Sequence, residues 1–501
     1  MRGPDDGQEG GAADADPTGG SLEGGAGVLD DAFVDARPVT HAGAQAVGSP
    51  AAATPIAGQE LTLEPEEPSP EVARTLRLSF LEGGLVQVFI NWTMGSVLIG
   101  YLLELGATPL HIALVGSVGF LAQMASPVAA WVAELAGQRR VLNASLATAG
   151  RLCWLVAVFL PQLPVPDAAR PTVFVALVFV AGVFNAAAST TWTAWMGDVV
   201  PADRRGTFFG RRSGVMGVVG MAANLAGGAF LDRVAPPLSF QLVLLVAVVC
   251  ALAGAVLILF HHDPPVEKRR LPFGTVLLAP LQDDGFRRFL RFAVYWQFVV
   301  MLSNPFTTAY FLESLGMSFT QVAVYTSITA AASLFTSSRW GRIADRVGNK
   351  SMLGIGTFLH GALLPTNWIL AGLYGDLTFV WIAALSDAVA FGAVGLALFN
   401  LALVTAPKVG RVSFIASYSV ITGLAGFAGG SLSGPLLGVF QSLDYTVPGW
   451  NGFHTLFAVS GIGRMFAWVL LRGVNEPNAW RTRDVLRRAR AVWKGSALPW
   501  H

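Results

Sequence analysis

From Leu78 onward the chain alternates between apolar stretches close to 20 residues long and short polar breaks. A helix needs about 20 apolar residues to cross a hydrocarbon core, because each residue advances it by about 1.5 Å. The pattern predicts twelve spans, near 82–104, 110–133, 141–161, 172–196, 212–232, 239–261, 290–313, 320–340, 350–373, 377–405, 413–440 and 452–473. Lipid offers the backbone no hydrogen-bonding partner, so such segments close their bonds within helices. A membrane barrel would show short alternating segments, and none occur. The break at 262–289 is the longest, holds four prolines, and separates six spans from six.

Five regions follow. Residues 1–75 are an acidic tail, rich in Gly, Ala and Pro, without hydrophobic period, and are predicted to be disordered. They lack the basic-then-apolar order of a signal peptide. Residues 76–261 and 290–475 form two six-helix bundles, joined by the cytoplasmic linker 262–289. Residues 476–501 form a basic cytoplasmic tail, in which Leu486, Ala489 and Trp493 share one face and predict a helix lying on the membrane surface.

Composition agrees. The 501 residues are 53% hydrophobic and 13% charged, against roughly 25% charged in soluble domains. A net charge of +1 conceals an asymmetry, since residues 1–73 carry 14 acidic residues and two arginines. Of 33 Lys+Arg, 27 flank one side of the spans and only Arg170 and Arg233 flank the other. Basic loops stay cytoplasmic, so both termini are expected inside a plasma or inner membrane. This basicity forms no soluble stripe interleaved with aromatics, which excludes nucleic acid as a partner. Cys153 and Cys250 sit in separate apolar runs, as packing residues do. His261 and His262 are adjacent and so face different ways on a helix. No metal site, cofactor or catalytic constellation is expected, and the chain is not expected to be an enzyme.

The halves repeat. YLLELGATPLHIALV after the first span matches YFLESLGMSFTQVAV after the seventh, 210 residues on at Gly106 and Gly316. The spacing is 211 at Glu134 and Asp345, and Pro201–Arg205 has a counterpart at Pro407–Arg411. Parallel six-helix repeats are one plan of secondary transporters.

Ionisable side chains at membrane depth are costly and therefore candidates for function. Asp387 lies about ten residues, or ~15 Å, into its span, near the midplane. Arg464 stands at a similar depth, and Arg151 has no acidic residue at a matching level. Glu82 is expected near enough to the cytoplasmic face to be hydrated. Asp387 and Arg464 admit two readings: a static pair pinning two helices, or a proton-coupling group whose hydration alternates.

Gly341-Arg342-Ile343-Ala344-Asp345-Arg346-Val347-Gly348-Asn349-Lys350 resembles the loop motif G-x-x-x-D-R-x-G-R-K of the major facilitator superfamily. It lies between spans 8 and 9, where that family has its second copy. The first copy is degenerate: Glu134, Gly137 and Arg139 fit, whereas Ala130 and Leu135 depart. Gly430-x-x-x-Gly434-Pro435-x-x-Gly438 is similar to the family's glycine motif, displaced here to span 11. The segment from Trp192 and Trp195 through Asp198, Pro201, Arg205 and Gly206 is similar to the span 4–5 junction of many prokaryotic members.

The resemblance implies an all-α membrane protein of 12 transmembrane helices in two pseudo-repeats, the major facilitator fold. It implies a monomer that moves a small organic solute across the bilayer by alternating access, with protons as a candidate coupling ion. The cytoplasmic gate would comprise Gly341, Arg342, Asp345, Arg346, Gly348 and Lys350, with Glu134, Gly137 and Arg139. Asp345 would face the start of span 5 near Ser213, and Glu134 the start of span 11 near Ser413, each carboxylate favoured by a helix N-terminus. In the family, spans 1, 4, 7 and 10 line the cavity. Here these offer Gln87, Asn91 and Trp92; Asn185, Ser189 and Trp192; and Gln297, Asn304 and Thr308. Amides beside tryptophan suit an uncharged or amphipathic solute. They also serve as interhelical glue, and a transporter-like receptor or scaffold is the competing function.

Overall fold

The structure, a computed structural model, describes residues 69–201, 203–264, 279–407 and 411–476, with 479–480, 482–485 and 487 of the tail. The side chains of 130, 134–136, 279, 333–335, 337–338, 391 and 411–413 are outside that description. The expected disorder of 1–68, most of the linker, and Leu486, Ala489 and Trp493 also lie outside the described residues.

All regular structure among the described residues is helical. The elements are α1 (Pro70–Trp92), α2 (Gly95–Glu104), α3 (Pro109–Ala122), α4 (Ser126–Ala136), α5 (Arg139–Val158), α6 (Arg170–Val199), α7 (Arg205–Leu231) and α8 (Leu238–Ile258). The second half has α9 (Asp284–Met301), α10 (Phe319–Val347), α11 (Asn349–Tyr374), α12 (Thr378–Thr405), α13 (Arg411–Gln441) and α14 (Gly452–Leu471). Eight stretches are long and apolar enough to cross a membrane, and α1 with α2 makes a ninth, bent by 42°. The remaining expected spans correspond to α9 with its continuation, α10 and α11. The last two have 29 and 26 residues and are long enough to cross, but are more polar.

Several boundaries differ from expectation. α1 begins at Pro70, inside the segment expected to be tail, because Ser69 caps it: its hydroxyl accepts from Val72 N, and proline occupies the first helical position. α7 begins at Arg205, so Ser213 lies in its third turn and not at its start.

The repeat is visible atom by atom. Span 1 breaks at Thr93–Met94, and span 7 breaks 210 residues on, at Asn304-Pro305-Phe306. Thr108 and Ser318 each close a capping box at the start of α3 and α10. Tyr101 and Tyr310 are both fully buried. Tyr101 donates to the carbonyls of Ala157 (3.1 Å) and Val158 (3.0 Å), Tyr310 to that of Trp368 (2.9 Å). YFLESLG has one residue more than YLLELG, and the surplus is absorbed by a π turn at Tyr310–Ser314, whose wider turn accommodates one extra residue. Gly106 and Gly316 both take positive φ in the turns that follow.

The halves meet most closely where α13 crosses α3. A Cβ on Gly434 would stand 2.9 Å from the Leu110 backbone, and on Gly426 3.2 Å from Phe120. Larger residues would force these helices apart, so the glycine series of span 11 is a packing seam.

Candidate functional site

Apart from Arg139 at the basic end, the buried charges lie in two groups, one per half. In the second half, α14 carries Arg464, which is 1% exposed. Its Nη2 donates to Ser303 Oγ (2.6 Å) and the Val300 carbonyl (3.2 Å). Ser303 donates to Ser460 (3.0 Å), which donates to the Val299 carbonyl (2.6 Å). The Nη1 of Arg464 lies 3.3 Å from His360 Nδ1, and His360 Nε2 lies 3.3 Å from Asp387 Oδ1. Arginine only donates, so Nδ1 accepts and the imidazole proton sits on Nε2, aimed at the carboxylate. The expected Asp387–Arg464 pair is therefore a three-member chain across α12, α11 and α14, with the His360 imidazole interposed. His360 is 3% exposed, whereas the Asp387 side chain keeps 18%.

His360 and Ser303 escaped the sequence reading. The signal for His360 was present, since it stands about ten residues into its span, at the depth that singled out Asp387. A residue that is neutral at ordinary pH does not register in a search for formal charge.

The first half builds a direct pair. Arg212 of α7 lies 3.2 Å from Glu82 of α1, and its Nε donates to Ser79 Oγ (3.0 Å). The guanidinium stacks 4.2 Å from the Trp192 ring, a cation–π contact. Glu82, expected to be hydrated, is 4% exposed. Arg212, expected at the edge of span 5, instead lies two turns inside α7, where it reaches Glu82. Arg151 is also buried, 5.5 Å from the Phe89 ring, and makes no hydrogen bond among the described residues. It borders a cavity of about 200 Å³ together with Trp154, Gln123 and Asn185.

The uncharged candidates divide by what their polar atoms touch. Trp92 donates to the Ala223 carbonyl of α7 (2.7 Å), and Asn91 to the Gln87 carbonyl of its own helix (2.9 Å). Gln87 and Asn91 also press on Gly220 of α7. Together with Trp192, these residues join helices. Asn185, Ser189 and Asn304 are exposed. Gln297 and Thr308 are half-buried, with Gln297 packed on Gly426.

The loop motif is engaged in an unexpected way. Gly348 has φ +87, and a Cβ there would meet Ala479 at 2.6 Å. Glu476 accepts from Asn349 N (3.0 Å), Asn349 Nδ2 (2.8 Å) and Lys350 N (2.6 Å), capping α11. Lys350 Nζ donates to the carbonyls of Arg472 (3.3 Å) and Val474 (2.5 Å), closing the end of α14. In the first half Asp263 plays the part of Glu476, accepting from Arg140 N (3.1 Å) at the start of α5. Both acids precede a proline after the last span of their half, a repeat overlooked in the sequence. Arg139 pairs with Asp198 at 2.5 Å. Gly137 ends α4 with φ +68, and the Glu134 side chain lies outside the description. Gly341 is half-buried, and Arg342, Asp345 and Arg346 are exposed; Asp345 forms no ion pair or hydrogen bond among the described residues.

A carboxylate does bridge the halves, at the opposite end. Asp232, after α7, accepts from Phe319 N (2.8 Å) and Thr320 N (2.9 Å) at the start of α10. Burial pushes its carboxyl up, but the bonds from Thr320, Phe319 and Ser318 outweigh that and hold it below the usual range. Asn224 donates to Thr326 (2.6 Å), and Ser117 stands 3.3 Å from Ser431. Among the described residues, all hydrogen bonds between the halves lie in the half of the bundle away from the basic loops. That end is held together by these contacts.

The sequence profile of the Major Facilitator Superfamily matches residues 83–430. No curated protein matches the sequence. Among solved structures the chain is similar to the nucleoside transporter NupG, with 16% identity, 79% of this chain and 99% of that one covered, and a TM-score of 0.61. It is similar to a D-xylose-proton symporter (14%, 81% and 99% covered, TM-score 0.61). It is also similar to a bacterial homologue of the iron transporter ferroportin in an inward-facing state (14%, 80% and 97% covered, TM-score 0.59). At these identities the likeness is one of fold.

Proposed function

We propose, for a chain that belongs to the Major Facilitator Superfamily and is thus a multi-pass membrane transporter, that it moves a small organic solute by alternating access coupled to protons through Asp387. The basic end is cytoplasmic by the charge bias of the loops, in a plasma or inner membrane. Asn185, Ser189, Gln297, Asn304 and Thr308 offer hydrogen bonds to the solute.

The observation that carries the reading is the chain Arg464–His360–Asp387. One cation and one carboxylate balance across a neutral imidazole, and only the carboxylate end retains exposure. A proton taken up by Asp387 leaves the Arg464 charge uncompensated in a low dielectric. It also turns the charged acceptor of the Nε2 bond into a neutral one, so the polar tie from α12 to α11 and α14 weakens. Proton binding and helix movement are thereby linked.

Thermal stabilisation across a solute library identifies the substrate. Proton-driven accumulation in proteoliposomes then tests the coupling. Asp387→Asn strands Arg464 and is expected to lower the folded yield, and its folded fraction to exchange solute but lose accumulation. A well-folded Asp387→Asn protein that still accumulates solute against its gradient would rule out Asp387 as the coupling site. Reporter fusions at Gly106 and Gly348 should fall on opposite sides, with Gly348 inside.

A further inference from the structure

Where the tail returns beneath α11 and α14, it closes a cavity of about 900 Å³. Lys350, Arg472, Arg483 and Arg487 stand on its rim, and among the described residues its lining holds no carboxylate. Its wall is apolar and includes Phe358 and Trp468, which are 48% and 36% exposed. The cavity is held in shape from several directions. Arg472 stacks 3.9 Å from the Trp468 ring. Lys350 is fixed by the carbonyls of Arg472 and Val474. Trp480 N donates to the Val347 carbonyl (3.0 Å), Glu476 caps α11, and the absent side chain at Gly354 admits Thr482. Arg483 and Arg487 form no ion pair or hydrogen bond among the described residues.

We propose that this cavity is a docking site for one anionic phospholipid of the leaflet on the basic side. The four cations are opposite in sign to a headgroup phosphate, and Arg483 and Arg487 have no partner among the described residues. The apolar wall continues down α11 and α14, the faces a bilayer would cover, so it receives acyl chains. A free phosphate would use the rim and leave the wall uncovered. Basic residues at the membrane surface attract anionic lipid, and here they are gathered around an apolar cleft of lipid-accommodating size. The bound lipid would join the tail to α11 and α14, beside the Gly348–Lys350 segment, and so couple membrane composition to the basic end of the transporter.

The test uses the full chain in detergent, with phosphatidylglycerol, phosphatidylcholine or inorganic phosphate added. Native mass spectrometry counts retained lipid, and thermal unfolding reports stabilisation. The chain is expected to retain one phosphatidylglycerol in preference to phosphatidylcholine and to unfold at higher temperature with it. The double variant Arg483→Gln/Arg487→Gln is expected to lose that preference by about tenfold or more, with unchanged unfolding in phosphatidylcholine. Equal retention of the two lipids would overturn the proposal, as would an undiminished preference in the double variant. Protection by millimolar phosphate equal to that by phosphatidylglycerol would assign the site to a free anion instead. If the double variant unfolds early, Arg487→Glu alone is used, and it must reduce phosphatidylglycerol retention below that of phosphatidylcholine.

Discussion

The two halves share a backbone plan and differ in how they bury charge. In the first, Glu82 meets Arg212 directly, the carboxylate side chain is 5% exposed, and Trp192 and Ser79 complete the guanidinium's surroundings. In the second, an imidazole stands between Arg464 and an Asp387 side chain that is 18% exposed. A direct, enclosed pair has one favourable state, because removing either charge strands the other. A chain with a histidine in the middle and an accessible acid at its end has two. The difference suggests that the repeat kept one half as a pin between α1 and α7 and turned the other into a switch.

The largest expected effect tests the pin. Glu82→Gln leaves Arg212 buried and unbalanced, and should cost about 3–5 kcal/mol of stability, seen as lost folded yield and a lowered unfolding temperature. Should Glu82→Gln fold as well as the native chain, the two clusters would not differ in kind. His360→Gln comes next. Its amide can accept from Arg464 and donate to Asp387 but, unlike an imidazole, cannot take up a proton, so it should fold and lose proton-driven accumulation while retaining exchange.

Gly348→Ala ranks third, at about 1–3 kcal/mol, since φ +87 with ψ 150 is a conformation that essentially only glycine adopts, and a methyl would press on Ala479. Gly137→Ala, the counterpart with open space around it, should cost less. Equal costs would mean that the tail contact contributes nothing. The smallest effect concerns Asp232. Its carboxyl is held below its usual value in the folded state, so its contribution is full above about pH 4, the unfolded value. It is lost as pH falls through the depressed folded value. Crosslinking between cysteines placed beside Asp232 and Thr320 should weaken below that point, and Asp232→Asn should remove the pH dependence.

How much of this the chain disclosed beforehand depended on the period of each signal. The helices and the repeat were legible because burial in lipid demands long apolar runs. The depth of Asp387 and Arg464 followed from counting residues along those runs. Three things were not legible. Arg212 looked like a flank, because the apolar run starts later than α7 does. His360 carries no formal charge, so its place between Asp387 and Arg464 depends on a three-helix contact that no local pattern encodes. Asp232, whose carboxylate caps the start of α10 from the other half, was not singled out, because it lies in a turn after α7 with nothing local to mark its partner.

The central claim is that Asp387 and His360 set the conformation in response to protons, and that Glu82 does not. It is tested by pulsed electron resonance between spin labels on the exposed positions 211 and 342 at the basic end, in a background lacking Cys153 and Cys250, across roughly pH 5–8. The account predicts a label separation that shifts with pH in the parent, is fixed in Asp387→Asn and His360→Gln, and still shifts in whatever fraction of Glu82→Gln folds. A full pH response in Asp387→Asn would contradict it.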